Sequence, residues 1–267
     1  MTSLAAWVGI DSRSIASLYI ASDSRLSWSK EKSTWDFGLK VFASQDAADV
    51  FGYWGDVLVP SMILPHISGP GALDGSKDSS ARHHLLVNSL ESALNTMPSR
   101  HRAPFGVIHG SRTDEGRDAV FRLWHTRWNY TDGWIDGEAA LVADPKPLIS
   151  QGTGASFVDR DAKSWSDALG KNVSRSIFSG FCDSLMSGSD ALSGGAPQLV
   201  GLYRKWNGQQ FGIVYKGQRF FRAATASTLG AKDIEWRNEL FERCDPLTGK
   251  RLTKGQRQPR PDFTYKY

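Results

Sequence analysis

The sequence predicts an α+β fold of stacked layers, and three observations predict it. β-type and helix-competent runs come in blocks along the 267 residues, which argues for layered sheets over a doubly wound parallel sheet. The chain is 40% hydrophobic and 22% charged, enough to bury a sizeable core. No internal repeat breaks it into similar units, so the expected organisation is one large domain, residues 1–224, with an extension over 225–267.

Residues 3–10 and 15–22 read as two strands around a turn at Asp11-Ser12-Arg13, and 38–43 and 48–54 as a second pair turning at Gln45-Asp46. A short apolar helix is expected from Val57, with Pro60 tolerable only in its first turn. After a Gly-rich loop over Ser68 to Ser80, the stripe Leu85, Leu86, Leu90, Ala93 and Leu94 predicts an amphipathic helix that Pro98 stops. Strands are expected at 104–109, 119–125 and 138–142, then at Ile149-Ser150-Gln151, which closes in the turn Gly152-Thr153-Gly154. A helix-competent stretch spans 155–187. Strands follow at Gln198–Arg204, Gln210–Lys216 and 219–222, then a helix near 232–243 and a Pro/Lys/Arg-rich tail.

Composition narrows the functional classes. No apolar run is long enough for a transmembrane helix, and the first residues lack a basic segment followed by an apolar one, so a cytoplasmic protein is expected. Cys182 and Cys244 fit neither a disulfide framework nor a CxxC metal site. The net charge of +4 owes much to the tail, where Lys250, Arg251, Lys254, Arg257, Arg260 and Lys266 face only Asp262. No recognition motif accompanies that charge, which argues against nucleic acid as a partner. His83-His84 and the His109/His125 pair lack metal-ligand spacing and read as surface or sheet residues. Gly152-Thr153-Gly154 is too short for a dinucleotide fingerprint. The run Trp124-His125-Thr126-Arg127-Trp128 reads as a subunit contact or sheet face, in a chain with ten tryptophans. Neither a metal nor an organic cofactor is implied.

The chemistry is expected at Thr2. A small residue after the initiator Met is common, but here an apolar strand begins at once and only Met1 separates Thr2 from a free α-amine. Such an amine titrates at about 7.7–8.0 and can deprotonate its own residue's hydroxyl, which makes nucleophile and base one residue. Ser3 would need a second cleavage. Asp23 taken alone is a turn aspartate and Lys40 a solvated charge. A Lys leading directly into Val-Phe-Ala lies along a sheet, however, and an inward ammonium needs a carboxylate, which Asp23 would supply. The segment Ser189-Asp190-Ala191-Leu192-Ser193-Gly194-Gly195 taken alone is a Ser/Gly loop ending a helix.

Taken together, Thr2-Ser3-Leu4-Ala5, Asp23-Ser24-Arg25, Lys40-Val41-Phe42 and Asp190-Ala191-Leu192-Ser193-Gly194 resemble, over roughly residues 2–216, the β-type subunits of the proteasome. They are similar as well to the simpler bacterial peptidases HslV and Anbu, all N-terminal-nucleophile (Ntn) hydrolases. The resemblance implies a four-layer αββα sandwich, here with a C-terminal helix and basic tail. It implies an N-terminal threonine peptidase that cleaves peptide or unfolded protein through an acyl-enzyme inside a self-compartmentalised homo-oligomer, a ring or spiral, with an ATP-dependent unfoldase as a candidate partner. By residue match, Asp23 and Lys40 tune Thr2, Asp190 and Ser193 hold the free amine, and Thr153 stands where the family usually has Ser. In Phe51-Gly52-Tyr53-Trp54-Gly55-Asp56, Gly55 would give the oxyanion N–H and Tyr53 would line the substrate pocket. The spacing from Thr2 to Asp23 is longer than the family's, so the first hairpin carries extra residues. Two alternatives keep the same fold: a small-amide hydrolase or acyl transferase, and a silent subunit that retains Met1.

Overall fold

A computed structural model describes residues 2–28, 33–73, 78–142, 146–169, 173–226 and 234–254. β1 (Leu4–Ile10) and β2 (Ile15–Ser22) form a hairpin whose turn is held by the Asp11 carboxylate, which accepts the Arg13 and Ser14 N–H groups. A small hairpin follows, β3 (Leu26–Trp28) and β4 (Ser33–Trp35), and then β5 (Val41–Ala43) and β6 (Asp49–Gly55). Helix α1 (Leu58–Ile67) takes Pro60 in its first turn, as expected, and also contains Pro65. Asp78 caps α2 (Ser79–Thr96), its side chain accepting from Ser80 and Ala81.

β7 (Phe105–Thr113), β8 (Val120–Asn129) and β9 (Gly133–Glu138) form a meander, followed by β10 (Ile149–Gln151). The third strand ends at Glu138, where the sequence reading had one beginning, because the Gly133 turn (φ 66) reverses the chain directly after β8. The helical stretch is two helices, α3 (Ala155–Leu169) and α4 (Ser174–Ser187), with Val173 extended at φ −146 before the second.

β11 (Gln198–Tyr203) and β12 (Gln209–Gln210) return to the first sheet, and β13 (Gly212–Tyr215), β14 (Gln218–Phe221) and β15 (Ala224–Thr225) belong to a smaller one. The helix expected near 232–243 is absent over its described part, 234–243. β16 (Trp236–Asn238) instead pairs parallel with β13. Asn238 explains the difference: its side-chain oxygen accepts the N–H groups of Leu240 and Glu242, both at 3.0 Å, which ends the strand in a turn a helix could not share. Most of the basic tail, 255–267, lies outside the described residues.

Two five-stranded antiparallel sheets, ordered β10-β1-β2-β11-β12 and β5-β6-β7-β8-β9, face each other. β1 and β2 are buried on both sides, so alternate residues enter different cores. Leu4, Ala6, Leu18 and Ile20 meet Val41, Val50 and Ile108 between the sheets. Ala5, Trp7, Tyr19 and Ala21 point the other way, against Ile177, Phe178 and Phe181 of α4. On the far side, Phe51, Tyr53 and Val107 pack under Leu86, Leu90 and Leu94 of α2. The layers therefore run helices, sheet, sheet, helices. None of the described helices is long and apolar enough to cross a membrane.

A buried polar network fastens α2 to the second sheet. Arg82 donates to Asp49 at 2.7 Å and to Ser111 at 2.7 Å. His109 Nε2 meets the other Asp49 oxygen at 2.8 Å, His83 Nε2 meets Asp136 at 3.0 Å, and the two Nδ1 atoms face each other at 3.1 Å. Ionised carboxylates only accept, so both Nε2 atoms donate to them. Burial, first, and then the neighbouring His109 push His83 down to about 4. Burial raises Asp49, but His109 and Arg82 outweigh it and hold the carboxyl below its usual range. An unfolded His83 takes up its proton near 6.5 and the folded one only near 4. Stability should therefore fall as pH drops through that window, by up to about 1.4 kcal/mol per pH unit. Denaturant midpoints measured across it should show the decline, and His83→Asn should flatten it.

Candidate active site

The site grows from the open end of the first hairpin. Beyond Leu4↔Ser22 the pair continues by one residue, with Asp23 N–H donating to Ser3 C=O and Ser3 N–H to Asp23 Oδ1, both at 3.1 Å. Thr2 and Asp23 are thereby held side by side at one strand end.

Lys40 approaches from the second sheet. Its N–H donates to Gln198 Oε1 at 3.2 Å, and its carbonyl accepts the Tyr53 N–H at 3.1 Å. The side chain is wholly buried, and its ammonium has three acceptors: Arg25 C=O at 2.6 Å, Asp23 Oδ1 at 2.8 Å and Thr2 Oγ1 at 3.2 Å. All three of its protons are thus committed. Asp23 is saturated as well: Oδ2 accepts the N–H groups of Arg25 at 3.1 Å and Gly194 at 3.0 Å, and every neighbour is a donor, as an ionised carboxylate requires. A cation thus points at the Thr2 hydroxyl oxygen from a site shut off from water, where its field is strongest.

A second cluster lies behind the first. Asp190 Oδ2 accepts the hydroxyls of Thr153 at 2.6 Å and Ser193 at 2.7 Å, while Oδ1 accepts Leu192 N–H at 3.0 Å. Burial raises the Asp190 carboxyl, but these donors prevail and hold it below its ordinary value. The chain joins this cluster to Thr2 through Gly154, whose N–H donates to Thr2 C=O at 3.3 Å.

Gly152 adopts φ +90, and a Cβ there would sit 1.9 Å from the Thr2 carbonyl oxygen. Gly152→Ala should therefore push Thr2 out of register with Lys40, at a cost above about 1–2 kcal/mol for the left-handed backbone alone. The check is a fall in melting temperature together with loss of any Thr2-dependent turnover.

Two residues singled out from the sequence lie elsewhere in the arrangement. Tyr53 is 1% exposed and its ring packs in the core under α2, so its link to the site is the main-chain bond to Lys40. Gly55 ends β6 at φ +85, where a Cβ would stand 2.6 Å from Pro104 C=O. Ladder alternation puts its N–H on the same strand edge as that of Tyr53, the edge facing Lys40. Gln198 was not anticipated: its amide bridges Asp23 C=O at 2.9 Å and Gly38 C=O at 2.8 Å, and so fixes the Lys40 approach. A lone amide inside the apolar run Gln198–Leu202 was the signal. The Arg25–Asp36 pair, at 2.8 Å, was also missed.

No family model matches the chain, and no curated protein matches it. Among solved structures it is similar to an Anbu mutant from Hyphomicrobium sp. strain MC1, with 15% identity over 76% of this chain and 82% of that one, at a TM-score of 0.48. HslV from Trypanosoma brucei shares 13% identity over 75% of this chain and 99% of its own, with a TM-score of 0.46. Thiobacillus denitrificans BPH, in complex with epoxomicin, shares 14% over 76% of this chain and 100% of its own, with a TM-score of 0.48.

Proposed function

We propose that this chain is an N-terminal threonine hydrolase, a cytoplasmic endopeptidase that assembles as a self-compartmentalised homo-oligomer around its substrate. The observation that carries the reading is the Lys40 ammonium, 3.2 Å from Thr2 Oγ1 and paired at 2.8 Å with Asp23 in a buried site. Because that ammonium already donates to the oxygen, the Thr2 hydroxyl proton is directed elsewhere. Once Met1 is removed, the α-amine on the same residue is its acceptor.

Attack on a peptide carbonyl forms the Thr2 ester and expels the amine product, which takes the proton from the α-ammonium. Water, deprotonated by the same amine, then hydrolyses the ester and regenerates Thr2. Lys40 stabilises the developing alkoxide, Asp190 and Ser193 orient the amine with Thr153 supporting them, and the Gly55 N–H faces the oxyanion. In this reading residues 1–224 form the catalytic domain and 225–267 an extension.

Thr2→Ala should retain the fold and lose peptide turnover. It should also lose modification by an electrophile such as an epoxyketone, which needs both hydroxyl and amine. Turnover that survives the substitution would place the nucleophile elsewhere. A panel of small amides run beside a peptide library separates a peptidase from an amide hydrolase or acyl transferase.

A further inference from the structure

We propose that the cleft at the far end of the first sheet binds a nucleoside polyphosphate. The cleft has a volume of about 1280 Å³ and is lined by Gly9 and Ile10, at the opposite end of β1 from Thr2. At about 3.3 Å per strand residue, roughly 25 Å separates the two sites.

Its charge is one-sided, with eight Lys or Arg side chains and two Glu among the lining residues. Some cations are already paired: Arg204 with Asp11 at 2.5 Å, and Arg237 and Arg243 with Glu235. Arg117, Lys205 and Lys254 have no acidic partner among the described residues. Cations of one sign on a concave wall concentrate anions. Helix α4 opens on the same cleft through Val173 and Ser174, so the positive end of its dipole adds to the field.

The second component is aromatic. Trp206 lines the cleft, is 64% exposed, and holds φ 68, a left-handed conformation that a bulky side chain rarely adopts. Arg112, itself 4% exposed, imposes it by donating to Trp206 C=O at 2.9 Å and Arg204 C=O at 3.1 Å. A strained backbone pinned by a buried arginine keeps a large ring in water beside unpaired cations. A ligand with a planar ring and several phosphates would use both features, the ring by stacking on Trp206 and the phosphates at Arg117, Lys205 and the α4 terminus.

The test is calorimetric titration of the full-length protein, at low salt, with ATP, adenosine and inorganic tripolyphosphate. ATP should bind more tightly than tripolyphosphate, and adenosine most weakly. Trp206→Ala should weaken ATP by about tenfold and leave tripolyphosphate unchanged, and Trp206→Phe should restore most of the loss. Arg117→Glu with Lys205→Glu should weaken both phosphate ligands by about tenfold or more, with melting curves confirming the fold of each variant. Thr2→Ala should bind ATP as the unsubstituted protein does, which keeps this site separate from the hydrolase. The proposal is overturned if ATP gives no binding, if tripolyphosphate binds as well as ATP, or if Trp206→Ala leaves ATP affinity intact.

Discussion

Lys40→Met should reduce peptide turnover by about 10²–10⁴-fold, the range over which a positioned proton-handling group contributes. Methionine nearly fills the aliphatic space, so the change removes the ammonium and little else. The loss falls on three acceptors at once: Thr2 Oγ1, Asp23 Oδ1 and Arg25 C=O. Asp23 then stands as a buried carboxylate with only the N–H groups of Ser3, Arg25 and Gly194 to satisfy it. Stripping one partner from a buried pair costs about 3–5 kcal/mol, and those three donors place this case near the lower end. Turnover and denaturation measured on the same preparation separate the two effects. A variant that melts lower but turns over normally would remove Lys40 from the chemistry.

Asp49→Ala should produce the larger loss of stability while leaving the chemistry of the folded fraction intact. Asp49 is fully buried and accepts from both the Arg82 guanidinium and the His109 ring, at 2.7 and 2.8 Å. Alanine leaves the buried Arg82 guanidinium without its carboxylate and the His109 N–H without an acceptor, so about 3–5 kcal/mol is expected, a large share of the 5–15 kcal/mol that holds a typical domain. At about 2–4 °C per kcal/mol for a chain of this size, the melting temperature should drop by roughly 6–20 °C. Thr2 labelling, normalised to folded protein, should not change. A drop of only a degree or two would mean that water reaches the network.

Much of the first half of the fold was legible in the residues because its signals are local. Continuous apolar runs marked β1 and β2, and the stripe Leu85, Leu86, Leu90, Ala93 and Leu94 marked α2, although Leu85 faces solvent rather than the core. The juxtaposition of Thr2, Asp23 and Lys40 follows from three strand ends, each carrying one polar residue where an apolar run begins or stops. What was not legible depends on partners distant in sequence. Trp236 belongs to a strand because β13 offers it an edge, and the Asn238 turn then overrides a helix-competent run. Tyr53 read as a pocket residue because nothing in its neighbours shows that α2 covers it. His83 and His109 lack metal spacing, yet they are a buried pair whose meaning comes from Asp49 and Asp136, 60 and 53 residues away. Gln198 was the most readable omission, since an amide in an apolar strand needs partners, and it has three.

The claim beneath the chemistry is that Thr2 bears a free amine beside a hydroxyl already touched by a cation. The most direct measurement is intact-protein and N-terminal peptide mass spectrometry before and after treatment with a threonine-directed epoxyketone. The account predicts a mature chain lighter by one methionine residue and a single adduct on Thr2. A chain that keeps Met1, or an adduct on any other residue, would contradict it.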